Sequence, residues 1–594
     1  VESPRKAAAV LAPLLGLPAR EVERRLGNVD RDFVWLARRV SDETAAAVSR
    51  LHLPGVKLWK ESARRYPEGP LAASVLGYVG TDNVGLGGLE YRYDSVIRGQ
   101  PVRITLLRDA VQRGYAIRQV GRFADRADAS AGTEGSSLVL TLDAAIQHVA
   151  EREADKVRRD RQAKSASIVV LEPKTGAVLA LATSPGFDPN RFGETDAGTR
   201  RCRPIADTFE PGSIFKAVTF AAALDAGVVS ENDVIDCGNG LLTIGSTTIH
   251  EHDRKAWSTL PLPEVLAHSS NIGSARIGLA IGRSLFNRSI RAFGFGQRTG
   301  IDLDGETAGL LADVSSWSAL SLPMMSFGQE IGVSVLQVAR AYAALANDGL
   351  LPVPYLVSEI RRGDTDVRRI LPRPAVRVVS PATARTLRRL MTNVVEEGTG
   401  KLAAVPGYTA AGKTGTAQKA AAGGGYARDR HVASFVGFAP AEAPRLVVAV
   451  VVDEPKGIYY GGDVSGPVFS SVMGESLRLL GVPPAFADQA PAVLTADLSA
   501  GARAAGPPPL LVPASSRPFG PAGEPAPGLV PDVSGLSARD AVRALARAGI
   551  SARLSGRGFV VAQEPAAGAP AGRGSVCLVA LAPSAASGRG AEAR

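Results

Sequence analysis

Apolar residues recur along the chain at two spacings, and the changes between them divide it into predicted elements. Ala7 to Leu17 and Glu21 to Leu26 carry a helical repeat, while Asp30 to Arg39 alternates in part. Thr81 to Arg98 reads as a glycine-marked turn followed by a helix. The stretch from Arg113 to Glu134 is polar and broken by glycine, which marks a boundary. Beyond it the pattern predicts a strand over Ser137 to Leu142 and a helix from Asp143 to about Arg158. Strands at Ala166 to Glu172 and Ala177 to Thr183 follow, joined into a hairpin by the turn Pro173-Lys174-Thr175-Gly176.

The next segment, Phe209-Glu210-Pro211-Gly212-Ser213-Ile214-Phe215-Lys216, is a Pro/Gly turn feeding a helix that stops near Gly227. Its apolar positions run nearly all the way round, as in a helix buried inside a domain. Further helices are predicted over Leu262 to Ile281, Ser334 to Asn347, Pro381 to Val395 and Val468 to Leu480. Strands are predicted at Ser434 to Gly437 and Arg445 to Asp453. Apolar, β-branched strands flanked by helices imply a mixed sheet covered by helices. From Gly481 to Gly528 the chain is rich in Pro, Ala and Gly and reads as an extended linker. Leu529 to Pro583 is compact again: a helix capped by Ser537 and ended by Gly549, then strands at Ile550 to Leu554, Phe559 to Gln563 and Val576 to Ala580.

Composition changes this picture only a little. The length of 594 residues implies three or four domains, and 45% apolar with 21% charged residues is ordinary for globular protein. The net charge of +10 is scattered, so it gives no support to nucleic-acid binding and suits an anionic wall or membrane surface. Cys202, Cys237 and Cys577 lie far apart and form neither a zinc pattern nor a disulfide framework. No apolar run is long enough to span a bilayer, and no signal peptide is present. The chain starts at Val1 and not at methionine, which implies a fragment whose anchor has been lost.

The candidate chemistry begins with Ser213 and Lys216, three residues apart on one helical face. A serine with an amine one turn away is a way to make a hydroxyl nucleophilic without histidine. Two further clusters follow in order, Ser269-Ser270-Asn271 and Lys413-Thr414-Gly415-Thr416. The succession S-x-x-K, S-x-N, K-T-G is that of penicillin-binding proteins and class A β-lactamases. The likeness extends beyond the motifs. "DTFEPGSIFK", "LAHSSNIGSARIG", "FGFGQRTGIDLDGE", "MSFGQEIGVSVLQVARAYAALANDG" and "AAGKTGTAQK", with "RYPEGPLAASVLGYVG" and "GLGGLEYRYDSVIRG" earlier, resemble a class B penicillin-binding protein of the division or sporulation type. The terminal "VPDVSGLSARDAVRALARAGI" resembles a PASTA domain. The cytoplasmic tail, membrane helix and R-G-x-I-x-D-R-x-G segment with which that family usually begins are missing here.

The resemblance implies a multidomain α+β chain. Residues 1–130 would form an N-terminal pedestal or dimerisation-type domain, 131–481 the transpeptidase domain, 482–528 the linker, 529–583 the PASTA-like module and 584–594 a tail. It implies a peptidoglycan D,D-transpeptidase in septal wall synthesis, working at the periplasmic face of the cell membrane with membrane-embedded division proteins. No cofactor, metal or nucleic acid is implied. Ser213 would attack the carbonyl between the two terminal D-alanines of a stem peptide, and β-lactams would acylate the same serine. Lys216 would take the proton, which at pH 7 requires its pKa to fall by about three units, through burial and through Lys413 as a second cation. Ser269 would relay a proton to the leaving amine and Asn271 would hold the substrate amide. Lys413, Thr414, Gly415 and Thr416 would line the substrate site, and the backbone N–H groups of Ser213 and Thr416 would form the oxyanion hole.

Other readings compete. Gly407 to Thr414 (GYTAAGKT) fits the P-loop pattern, and Leu446 to Glu454 (LVVAVVVDE) looks like a Walker B strand, so an ATPase is the alternative from a different mechanism. Against it, Gly415 follows the Lys-Thr pair at once and Pro406 sits where the preceding strand should be. His250-Glu251-His252-Asp253 reads as solvated loop residues in preference to a metal site. Within the penicillin-recognising class, a β-lactamase would need a water-activating acid such as Glu210. A β-lactam sensor or wall-binding scaffold would acylate without turnover.

Overall fold

The computed structural model describes residues 3–99 apart from 29, 30, 32, 60 and 62, the backbone of 105–108 and 114–117, residues 135–485 apart from 253, 254, 364 and 422–424, and residues 529–582 apart from 557, 558 and 571–574. It divides into two compact units, Val1–Val493 and Leu494–Arg594. The linker and tail read from composition fall almost wholly outside the described residues, as does most of the boundary stretch after Arg113. Gly114–Ile117, inside that stretch, is a short strand paired antiparallel with Thr105–Arg108.

The core of the first unit is a five-stranded sheet of β1 (Ser165–Leu171), β2 (Val178–Ser184), β3 (Ala411–Ala420), β4 (Tyr426–Ala439) and β5 (Leu446–Asp453). Their spatial order is β3-β4-β5-β1-β2. Every pairing is antiparallel, so helices cover the sheet as expected while the strand directions are not mixed. The continuous apolar run of β5 is explained by burial on both faces. Val447, Ala449 and Val451 point into one apolar core, and Val448, Val450 and Val452 into the other, as the two-residue period of a strand requires.

Each face has its own cover. On one side lies the Val335–Ala346 helix, with every residue buried. Ser334 and Gln337 close its N-terminus as a capping box. On the other side pack Ala144–Asp160, capped by the Asp143 carboxylate, and Gly466–Leu479. Phe435 of β4 meets Phe469 of the last helix with ring centroids 4.6 Å apart. Burying side chains of that size contributes about 1.5–3 kcal/mol each.

Two predicted elements are cut differently. The helix expected over Leu262 to Ile281 is two helices, Leu262–Ala267 and Asn271–Ile281. Between them Ser269 has a left-handed φ of 61°, and the Ser270 side chain caps the second helix by accepting from Gly273 N–H. Lys413 to Thr416, expected just ahead of the late strands, lies inside β3 at the sheet edge.

Ser137–Leu140 joins Val357–Arg362 in a separate small sheet. The N-terminal helices Pro4–Leu15, Ala19–Leu26 and Asp42–Arg50 gather a core of their own around Leu11, Val22 and Val48. The partly alternating stretch from Asp30 to Arg39 forms no strand among its described residues. In the second unit, Ala538–Arg547 packs on a three-stranded sheet whose Ser551–Gly556 and Val576–Ala582 strands are parallel. No helix of the described residues is long and apolar enough to cross a membrane.

Candidate active site

The turn bearing Ser213 is a 3-10 helix, Gly212–Phe215, running directly into the α-helix Lys216–Asp225. In 3-10 geometry residues three apart eclipse one another, which stacks Ser213 and Lys216 more squarely than the α-helical face expected from sequence. The Tyr342 hydroxyl, fully buried on the helix behind, donates to Ile214 O at 2.7 Å and fixes the turn. Gly212 N–H donates to Gly328 O at 2.9 Å. The backbones approach so closely that a Cβ on Gly328 (φ 86°) would stand 2.1 Å from the Gly212 oxygen.

Lys216 is wholly buried. Its Nζ donates to the Ser269 carbonyl at 2.6 Å and to Asn271 Oδ1 at 2.9 Å, and lies 3.2 Å from Ser269 Oγ. The Asn271 amide is oriented by its Nδ2, which donates to His250 O at 3.3 Å. Burial lowers the Lys216 pKa to about 7, against an opposing pull from Glu251. A neutral amine has two donors and one lone pair. The Ser269 carbonyl and Asn271 Oδ1 only accept, so the Ser269 hydroxyl is the neighbour able to donate to that lone pair.

Lys413, also wholly buried, brings the third cluster in. Its Nζ reaches Thr414 O and Thr414 Oγ1, both at 3.3 Å. Burial drives its pKa well down and repulsion from Lys216 drives it further. The mutual repulsion expected from sequence is present, but it falls on Lys413; Lys216 is lowered by burial. Thr414 Oγ1 lies 2.7 Å from Thr399 Oγ1, and Thr416 Oγ1 accepts from Gly461 N–H at 2.9 Å.

These groups meet at a cleft of about 820 Å³ walled by Ser213, Ser269, Asn271, Thr414 and Thr416. Lys216 and Lys413 stand behind the wall. Gly415 is not on it; it is glycine because β3 passes tightly against the turn that bears Ser213. A Cβ there would meet Ser434 Oγ at 2.4 Å and Pro211 O at 3.0 Å. Among the described residues the Ser213 hydroxyl makes no hydrogen bond, which leaves it open to the cleft.

One residue of the site was misjudged from sequence. Glu251, read as a solvated loop residue, is 4% exposed. Its carboxylate accepts from the Ser270 hydroxyl, from Asn271 N–H at 2.7 Å and from Ile272 N–H at 3.2 Å. It lies twenty positions before Asn271, so no local pattern joins them. Glu210 does not line the cleft; its Oε1 takes Glu330 N–H at 3.0 Å and the Tyr426 hydroxyl at 3.3 Å. The P-loop reading fails on geometry, because Lys413-Thr414 lies in a strand and opens no helix to cradle phosphate. The acidic pair of the Walker-like strand, Asp453 and Glu454, is bound to Lys419 at 2.8 and 2.7 Å.

Comparison with known proteins agrees with this geometry. The penicillin binding protein transpeptidase domain matches residues 166–474, the penicillin-binding protein dimerisation domain 4–140, and the PASTA domain 528–579. The chain is 36% identical over 480 residues to the "Probable peptidoglycan D,D-transpeptidase PenA" of Neisseria meningitidis, covering 80% of this chain and 78% of that protein. It is 34% identical over 480 residues to the peptidoglycan D,D-transpeptidase FtsI of Escherichia coli, covering 80% and 77%. Penicillin binding protein 3 of Mycobacterium tuberculosis complexed with ampicillin superposes with a TM-score of 0.63 at 32% identity, covering 71% of this chain and 90% of that one.

Proposed function

The chain belongs to the penicillin-binding protein transpeptidases, and from that premise we propose which of its residues carry each step of the reaction. It is a peptidoglycan D,D-transpeptidase of the serine acyltransferase kind, with penicillin-binding, dimerisation and PASTA domains, and β-lactams inhibit it covalently.

Ser213 Oγ attacks the carbonyl carbon of the penultimate D-alanine of a stem peptide while its proton passes to neutral Lys216. The bond to the terminal D-alanine breaks, and that amine departs with a proton relayed through Ser269. An amine of a neighbouring strand then attacks the ester, forms the cross-link and returns the proton to Ser213. The oxyanion sits between the N–H groups of Ser213 and Thr416, a contact worth about 3 kcal/mol of barrier for a donor. Asn271 holds the substrate amide. Thr414 and Thr416 receive the terminal carboxylate, with Lys413 behind them; the carboxylate's charge favours the protonated form that burial and repulsion from Lys216 oppose. As β3 is a sheet edge, an extended stem peptide can add to it as a further strand.

The observation that carries this reading is the buried Lys216 amine held between Ser269 and Asn271 behind the wall that exposes Ser213. Glu210 lies off the cleft wall with one oxygen committed elsewhere, which favours transfer over hydrolysis. We place the enzyme in septal synthesis on the periplasmic face of the membrane, beside membrane-embedded division proteins, on the strength of its likeness to the FtsI protein. The test is a stem-peptide donor ending in D-Ala-D-Ala with an amine acceptor. D-alanine release and amide formation are expected from the full chain and absent from Ser213→Ala; hydrolysis without amide formation would contradict the assignment.

A further inference from the structure

Glu251 has an unusual place for a carboxylate. It follows the strand Thr247–His250, is almost wholly buried, and spends both oxygens on the start of the Asn271–Ile281 helix. A carboxylate at a helix N-terminus satisfies otherwise unpaired N–H groups and complements the helix dipole. This helix start is the S-x-N cluster itself. The residue just before it, Ser269, is held at a left-handed φ of 61°, a backbone state that persists only when its surroundings enforce it. Ser270, which caps the helix, gives its hydroxyl proton to Glu251 and accepts from Gly273 N–H at 2.9 Å.

We propose that Glu251 is a positioning residue of the acylation site: it anchors Ser270, Asn271 and Ile272, and so presents the Ser269 and Asn271 oxygens that bind the Lys216 amine, its carboxylate being bonded to the backbone of the same Asn271 whose side chain meets that amine. The inference rests on Lys216 being the base. The charged and titratable groups around the pair come from every neighbouring element. Lys413 faces Lys216 from β3. The buried Cys237 thiol lies 3.6 Å from Ser270 Oγ, with the Asp236–Arg276 ion pair (3.1 Å) beside it. His250 and His252 flank Glu251 along the chain. Of these, Glu251 is the group that favours the charged form of Lys216.

The charge can be separated from the anchoring by experiment. Acylation of the full chain by fluorescent penicillin is timed across about pH 5 to 9, where the acid limb reports protonation of the base. In Glu251→Gln the anion is gone, so Lys216 holds its proton less well and the limb moves to lower pH by about one unit. The rate on the plateau falls at least about tenfold as the helix start loosens. Glu251→Asp keeps the charge and leaves the limb in place. A merely structural glutamate would slow both variants with no movement of either limb, and an unmoved limb in Glu251→Gln overturns the proposal. If Glu251→Gln does not fold, Ser270→Ala and Ser270→Thr decide: slower acylation in Ser270→Ala that Ser270→Thr restores, by keeping the hydroxyl that bonds Glu251, supports the anchoring, and an unchanged rate in Ser270→Ala overturns it. Lys216→Ala run alongside keeps the two readings apart. A rate within about tenfold of the parent there contradicts Lys216 as the base, whereas an unmoved limb in Glu251→Gln with acylation lost in Lys216→Ala contradicts only Glu251.

Discussion

Lys216 Nζ lies 2.6 Å from the carbonyl oxygen of Ser269, a residue 53 positions further along the chain. That contact ties the helix that starts at Lys216 to the break between two other helices. The break exists because Ser269 adopts a left-handed backbone that ends one helix and turns its carbonyl and hydroxyl toward the amine.

Removing the amine should remove the base. Lys216→Ala is expected to lower the acylation rate by about a thousandfold, within the usual range for general-base catalysis, while circular dichroism stays native. A rate within about tenfold of the parent would take proton transfer away from Lys216.

The same amine sets a pH dependence. Its pKa is lowered to about 7 by burial, and only the neutral form can take a proton, so with Lys216 as the proposed base acylation should rise with pH and level off above about 7. The linkage to stability has a definite sign. The unfolded chain holds this proton up to about 10.4, so the unfolded state binds more protons between the two values. Stability contributed by this group therefore rises with pH across that window and is lost as pH falls back toward 7. Chemical denaturation at several pH values checks it, and Lys216→Met should flatten that slope.

Gly415 can be tested without touching a reacting group. A methyl there meets Ser434 Oγ at 2.4 Å and Pro211 O at 3.0 Å, which forces β3 away from the nucleophile turn. Gly415→Ala is expected to slow acylation at least about tenfold and to cost about 1–3 kcal/mol of stability. A parent-like rate would show that the strand can shift freely.

Asp302 joins two parts of the first unit. Its carboxylate accepts from Leu356 N–H at 2.7 Å, Val357 N–H at 2.9 Å and the Tyr93 hydroxyl at 3.1 Å. Asp302→Ala should lower stability by about 1–3 kcal/mol through the unpaired N–H groups it leaves, with Tyr93→Phe costing less. Equal costs for the two would point to the tyrosine contact alone.

The second unit has its own core around Val533, Leu545 and Cys577. A chain ending at Val493 should therefore be acylated at the parent rate, read by penicillin labelling, and a large loss would assign the terminal module a part in the active site.

Much of this was legible in the sequence because its signals are local. The all-apolar run of β5 announced burial on both faces, and Asp143, Ser334 and Ser537 announced helix starts that the structure has. The order of Ser213, Lys216, Ser269, Asn271, Lys413 and Thr416 gave the cast of the site. What stayed hidden depends on distance. The left-handed Ser269 sits inside an unbroken helical repeat, so periodicity runs straight through it. Glu251 looked solvated because its three donors belong to residues about twenty positions away. Lys413 to Thr416 has too few apolar residues to read as a strand, and becomes one by pairing with β4.

The most direct measurement is mass spectrometry of the chain after reaction with benzylpenicillin, with the modified peptide located and the adduct followed in time. One adduct is expected, on the peptide containing Ser213, and it should decay slowly. An adduct on any other residue would remove Ser213 as the nucleophile, and one hydrolysed as fast as it forms would make the enzyme a hydrolase.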